Sequence, residues 1–343
     1  MPEPREILAK RLRFQAAGCG ELGSPFYAAI LEAAASDLDQ EGAVWGVLAG
    51  LEVESGWSAV ALRMMAAVHR FVLSGELAEL AEHYPSTGGD GDATAAWPLF
   101  RQVLLDRADD VRRLVSRGCQ TNEVGRSAAL LGGFLEIADR AGLPLRILEI
   151  GASAGLNLRW DMYRYESEDR EGWGDPSSGV RFIKPFDVPP PLDRNAEVVE
   201  RKGCDLEPVD PTSDEGTLTL RSFVWADQLG RLSLLDGAIE LAKKVPVEVE
   251  RADAARFLER ELARPVPGTA TIVYHSVFIQ YVDEPGRARI AAAIDAAQAR
   301  AAADAPVFHL GMEPGAGTFE IRLDGKLLGT SRAHGTGVRW LVG

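Results

Sequence analysis

The residues best suited to chemistry lie in the run from Leu145 to Asn157, where an aliphatic stretch carries Glu149 near its end and passes into Gly151-Ala152-Ser153-Ala154-Gly155. Glycine at 151 and 155 lets backbone come close to a ligand, and a strand-turn-helix of this kind stands at the sheet edge where open α/β folds take their ligands. Three chemistries compete for the turn. A dinucleotide site needs glycine at 151, 153 and 156, but 153 is serine and 156 is leucine. A G-x-S-x-G nucleophile elbow is matched at every defined position and would make Ser153 the nucleophile of a serine hydrolase; against it, the upstream residues read as helical and carry no oxyanion-type glycine run. The third is nucleoside binding without a pyrophosphate.

Other polar groups converge on the same kind of edge. The run Ile272 to Tyr281 leaves His275 and Ser276 at the carboxyl end of a strand, and histidine, which titrates near neutrality, is the candidate base, with Tyr281 beside it. After the turn, Asn157 and Asp161 share one face at i and i+4 if the segment is helical. The polar run Gln120 to Arg126 either caps the next helix or sends Arg126 to a ligand carboxylate. His69, His83, His309 and His334 stand at no ligand spacing, and Cys19, Cys119 and Cys204 are widely spaced and odd in number, so neither a metal nor a disulfide framework is expected.

The elements that must position these groups fall into two regions. Residues 1–140 show apolar positions at helical spacing, such as Ala59, Leu62, Met65, Ala66, His69 and Leu73, and read as an all-α region with a glycine-rich loop at 84–92. Residues 141–343 alternate short aliphatic runs with helices, the pattern of a doubly wound, mostly parallel Rossmann-like α/β sheet. Strands are expected at 145–150, about 197–201, 246–250, 270–275 and 306–311, with helices at 154–163, 223–243, 254–262 and 285–303. Asp324-Gly325 between Thr318–Leu323 and Lys326–Thr330 predicts an antiparallel finish, with a further strand at 338–342. The stretch 166–195, rich in glycine and proline, reads as an irregular insertion.

Within this frame, Glu149-x-Gly151-x-Ser153-x-Gly155 resembles the first motif of S-adenosylmethionine-dependent methyltransferases of the doubly wound class, with serine in place of the middle glycine. The resemblance implies that Glu149 faces the cofactor's amino group and that Gly151 and Gly155 lie against its methionine part; Ala152 and Ser153 of the same turn, Asn157 after it, and Arg126, placed next to the first strand and reaching for the cofactor's carboxylate, are the further candidate cofactor contacts. Arg251-Ala252-Asp253-Ala254 resembles the family's third-strand turn, implying that Asp253 accepts from the adenine amino group and that the Ala254 N–H donates to the ring; a helix cap is the structural alternative for Asp253. Asp205, by the same resemblance, would accept the ribose hydroxyls, although it lies 54 residues beyond Gly151. His275 would border both the cofactor and the acceptor, with Asp161 and Tyr281 as further catalytic candidates. From Gln120-Thr121-Asn122 to Phe223–Gln228 the chain resembles an uncharacterised bacterial family of methyltransferase-like proteins.

The function expected from this is methyl transfer from S-adenosylmethionine to a small-molecule acceptor; a nucleoside-binding protein without chemistry and a serine hydrolase using Ser153 are the alternatives. Thirty-seven basic against 51 acidic residues give a net charge of −14, so no basic field is available for nucleic acid. The most apolar stretch, 59–73, is interrupted by Arg63, His69 and Arg70 and is too short to span a bilayer. No signal-peptide core is apparent, and a cytoplasmic location is expected.

Overall fold

A computed structural model describes residues 3–40, 42–55, 58–168 and 171–342. In chain order the helices are α1 (Pro4–Glu21), α2 (Pro25–Asp39), α3 (Ala43–Leu48), α4 (Val60–Leu73), α5 (Ala78–Ala81), α6 (Ala93–Asp106), α7 (Ala108–Val115), α8 (Arg126–Ala141), α9 (Asp214–Ser222), α10 (Leu229–Lys244), α11 (Ala254–Glu261) and α12 (Glu284–Ala299). The strands are β1 (Leu145–Ile150), β2 (Arg164–Tyr165), β3 (Arg181–Phe182), β4 (Phe186–Val188), β5 (Val198–Asp205), β6 (Val249–Arg251), β7 (Ala270–Ser276), β8 (Val307–Pro314), β9 (Phe319–Leu323), β10 (Lys326–Ser331) and β11 (Val338–Trp340).

Two compact units result, residues 1–121 with 213–233, and residues 122–212 with 234–343. The first unit is helical. Its starts follow local chemistry: Pro25 opens α2, Asp92 accepts from the N–H groups of Thr94 and Ala95 to cap α6, and Ser213 accepts from Gly216 to cap α9. The core is built on α4, whose Met64, Met65 and Val68 are fully buried. The segment 213–233 is part of that core. Trp225 stacks on Tyr27 with ring centroids 6.2 Å apart, and the Asp227 carboxylate accepts from the Ser24 hydroxyl and the Phe26 N–H at the start of α2. The expected boundary at 140 therefore moves: α8, read above as part of the helical region, belongs with the sheet, and 213–233 belongs with the helices.

The second unit is a mixed α/β structure around a nine-stranded, largely parallel sheet in the order β4-β11-β10-β9-β8-β7-β1-β5-β6. The strands β6, β5, β1, β7 and β8 are mutually parallel, and β9 and β10 return antiparallel, as the Asp324-Gly325 turn predicts. β1 is buried along its whole length, as a central strand covered on both faces must be. On one face α8 brings Gly133 against Leu310 of β8, where a Cβ would stand 2.4 Å from a leucine methyl. Phe134 meets Tyr274 of β7 edge-on, with centroids 5.1 Å apart. The other face carries α11 and α12, which close over Leu148, Ile150, Cys204 and Val273.

Three expected elements change. The helix expected at 154–163 is a 3₁₀ segment, Leu156–Met162, broken at Arg159. The helix expected at 223–243 starts only at Leu229, as α10; Phe223–Gln228 link it to α9, an unexpected helix at Asp214–Ser222. The stretch expected to be irregular holds β3, paired in parallel with β2 just before it, and β4, with Trp173 stacked on Trp160 and bonded to the Arg194 carbonyl. Aromatic burial rather than loop composition decides that segment; Asp169 and Arg170 within it lie outside the described residues.

Candidate functional site

The parallel strands run outward from β1 to β5 and β6 on one side and to β7 and β8 on the other, so the strand order reverses between β1 and β7. Above that reversal stands the 151–155 turn. Gly151 (φ 69°), Ser153 (φ 52°) and Gly155 (φ 65°) are all left-handed, a conformation glycine adopts freely and serine at some cost. The missing side chains of the two glycines face protein. A Cβ on Gly151 would stand 2.1 Å from the Phe278 ring, and one on Gly155 would stand 2.7 Å from a Val249 methyl. Ala152 is fully buried with its N–H on the Cys204 carbonyl. The turn is thus packed tightly against its neighbours rather than left open at the glycines.

Asp205, at the end of β5, clamps the turn from below. One of its oxygens accepts from the Ser153 N–H at 2.9 Å and the other from the Glu207 N–H at 2.9 Å. The stretch that separates it from Gly151 in sequence is taken up by the 3₁₀ segment, β2, β3 and β4, and the register sets Cys204 beside Ile150. Asp253 stands at the next strand end, where it caps α11 through the Arg256 N–H and lies 3.4 Å from Arg289; its side chain is half-exposed. Ala254 opens that helix and packs into the core.

Glu149 does not face a cleft. It is 2 % exposed and accepts a 3.0 Å hydrogen bond from the Tyr274 hydroxyl. Burial pushes its carboxyl up to about 8, with the nearby Asp205 charge acting in the same direction, so at neutral pH the group is mainly protonated. Arg126, the first residue of α8, donates to the carbonyls of Ser276 at the end of β7 and of Ala333. Asn157 is also internal: its amide oxygen accepts from the Ser127 hydroxyl and its amide nitrogen donates to the Glu123 carbonyl, while Asn122 accepts from the Leu156 N–H. Asp161 is turned away by the break at Arg159 and forms a two-pronged pair with Arg201 in the body of β5, at 2.7 and 3.1 Å. Asn157 and Asp161 therefore do not share a face.

At the end of β7, His275 and Tyr274 alternate to opposite faces of the sheet. His275 is 3 % exposed, and its ring packs on Gly311 of β8, where a Cβ would stand 2.9 Å from Cε1. Its Nδ1–H donates to Glu313 at 2.7 Å, and its Nε2 lies 3.0 Å from Nε2 of His309, so a single proton sits between the two rings. Burial, with His275 alongside, depresses His309 to about 3. Burial would raise Glu313, but the His275 bond and the N–H groups of Phe278 and Ile279 outweigh it and hold that carboxyl below its ordinary value. Those bonds also fix Val277 at φ 53°, a left-handed conformation costly for a β-branched residue, and so place Phe278 over Gly151. Tyr281 follows on a 3₁₀ turn and is half-exposed.

The structure thus brings Gly151, Ser153, Gly155, Asp205, Asp253 and Arg126 to one sheet edge, and it encloses Glu149, Asn157, Asp161 and His275. Sequence reasoning missed Tyr274, Phe278, His309 and Glu313. A signal was present for the last two: His309-x-Gly311-x-Glu313 is a polar series at period two inside an aliphatic strand, which puts all three on one face. Among the described residues no group of three or more His, Cys, Asp or Glu side chains is arranged to hold a metal. No described helix is long and apolar enough to cross a membrane.

With this geometry in hand, the chain is identified: it belongs to the DUF2332 family, described as an uncharacterized protein conserved in bacteria, whose model matches residues 9–340. No curated protein and no solved structure matches it.

Proposed function

We propose that the second unit is a doubly wound, Rossmann-like domain that binds S-adenosylmethionine at the carboxyl ends of β1, β5 and β6 and passes its methyl group to a small acceptor. One observation carries the reading. The five parallel strands lie in the order third, second, first, fourth, fifth, and a left-handed small-residue turn crowns the first strand where that order reverses, the place at which open α/β sheets take ligands.

The residues that fit a nucleoside are Asp205 and Asp253. Each Asp205 oxygen accepts one backbone N–H and keeps a lone pair for a ribose hydroxyl, while the half-exposed Asp253 can accept from an adenine amino group. Arg126, beside the β7 end, suits a ligand carboxylate. Glu149 does not fit its expected role, because a mainly neutral, enclosed carboxyl bonded to Tyr274 is a poor partner for an ammonium group. When bound, the sulfonium supplies an electrophilic methyl; the chain's part is to hold the nucleoside in line with the acceptor and keep water out. His275 has both ring nitrogens engaged, so it shapes the wall behind Phe278 and is not assigned as the base.

Calorimetric titration with S-adenosylmethionine, S-adenosylhomocysteine and NAD tests the reading. Saturable binding of both sulfur nucleosides and not NAD, weakened at least tenfold by Asp205→Asn, is the expected result. No binding of either sulfur nucleoside sinks it. The left-handed Ser153 favours one other reading, the hydrolase elbow, which requires a covalent fluorophosphonate adduct on that serine.

A further inference from the structure

A pair of side chains in the helical unit, unused by anything above, has the geometry of an activated nucleophile. His69, on α4, is fully buried. Its Nδ1 lies 3.1 Å from the Ser222 carbonyl, with the Tyr27 hydroxyl 3.4 Å away, and its Nε2 lies 2.8 Å from the Ser86 hydroxyl. A carbonyl oxygen only accepts, so Nδ1 carries the ring proton and Nε2 presents its lone pair to the Ser86 O–H. Burial lowers His69 to about 4, which keeps the ring neutral and able to accept a proton at pH 7.

The surroundings are rigid. Ser86 lies on a short 3₁₀ turn in the glycine-rich loop and is partly exposed. That loop is folded hard onto the end of α5: the Gly89, Asp90 and Gly91 N–H groups bond to the carbonyls of Tyr84, Glu82 and His83, and a Cβ on Gly89 would stand 2.5 Å from the Tyr84 nitrogen. Beside the pair, the Tyr84 ring lies 5.4 Å from the His69 ring, and its buried hydroxyl has no hydrogen-bond partner, a cost that a ligand's polar atom would relieve.

We propose that Ser86 and His69, oriented by the Ser222 carbonyl, form a second reactive centre that accepts an acyl group from an ester or thioester. The Ser86 oxygen bonds to the acyl carbon as its proton passes to His69 Nε2. The bond to the leaving alcohol or thiol breaks, and His69 returns the proton to that group. Water then attacks the acyl-serine as His69 again takes its proton; the bond from the acyl carbon to the Ser86 oxygen breaks, His69 returns the proton to that oxygen, and the carboxylic acid leaves. A buried imidazolium is a strong acid, which suits expulsion of the leaving group and restricts the centre to acyl donors that are readily attacked.

Diisopropyl fluorophosphate, followed by peptide mass spectrometry, tests this. The folded wild-type chain should carry the phosphoryl group on Ser86, Ser86→Ala should show none at that peptide, and both should have the same circular dichroism. His69→Gln should slow labelling by about 100-fold or more. As a second measurement that needs no change at the buried histidine, p-nitrophenyl acetate turnover should fall to the uncatalysed rate in Ser86→Ala. Absence of an adduct on Ser86, an adduct on Ser153 alone, or labelling as fast in a folded His69→Gln chain overturns the proposal.

Discussion

Replacing Glu149 with glutamine should make the protein's stability less sensitive to alkali. In the unfolded chain this carboxyl releases its proton near 4.5, whereas in the folded protein burial holds the proton until about pH 8. Folding between those values must take up a proton, so the stability that the protonated group contributes below pH 4.5 is lost as the pH rises toward 8. Each unit of displacement is worth about 1.4 kcal/mol, and the span of about 3.5 units corresponds to about 5 kcal/mol at most. Glutamine has no such proton, and its amide oxygen can still accept from the Tyr274 hydroxyl, so the packing around β1 is kept. Urea denaturation of both proteins at intervals from pH 5 to 8.5 is the assay. The variant's advantage should grow by about 1.4 kcal/mol per pH unit and level off above pH 8. Parallel stability curves across that range would refute the reasoning, since they would mean that Glu149 ionises in the folded state as it does in the unfolded one.

Gly151→Ala should destabilise by about 2–4 kcal/mol, from the left-handed backbone and from a Cβ driven into the Phe278 ring; made in a Phe278→Ala background the same substitution should cost only the backbone term, and urea midpoints of the two single variants and the double variant separate these contributions. Glu313→Ala strands two N–H groups and the His275 ring, so a loss of about 2–4 kcal/mol is expected, together with faster amide exchange at Phe278 and Ile279; unchanged exchange there would show that Glu313 does not hold the segment.

Period and turn chemistry made much of this fold legible. The aliphatic runs of β1, β7 and β8, the alanine-rich α12 and the Asp324-Gly325 hairpin follow from local pattern alone, because each buries a face or bends the chain by its own residues. The region around 156–162 did not. Arg159 donates to the Val245 and Gly155 carbonyls, and that tertiary demand overrides a helical pattern and swings Asp161 to Arg201. Candidate-site residues were read from their type, yet type is silent about which side of a strand end a side chain takes. Glu149 and His275 are both near the ends of neighbouring strands, but alternation puts one under α8 and the other on the side of α11 and α12. Asp205 was legible only by likeness, since residues 156 to 204 fold between it and the turn it clamps.

The return of residues 213–233 to the helical unit sets a timetable for biosynthesis. The first 121 residues leave the ribosome without Trp225, which stacks on Tyr27, and without the Asp227 carboxylate that binds the start of α2. Ninety-one residues must be translated before the missing segment begins, an interval of about 5–18 s at ordinary elongation rates. Until then the nascent helices hold an unfilled aromatic slot beside Tyr27. Expressing residues 1–121 alone would make that transient vulnerability permanent, whereas a polypeptide that ends after 233 carries every segment the helical unit requires.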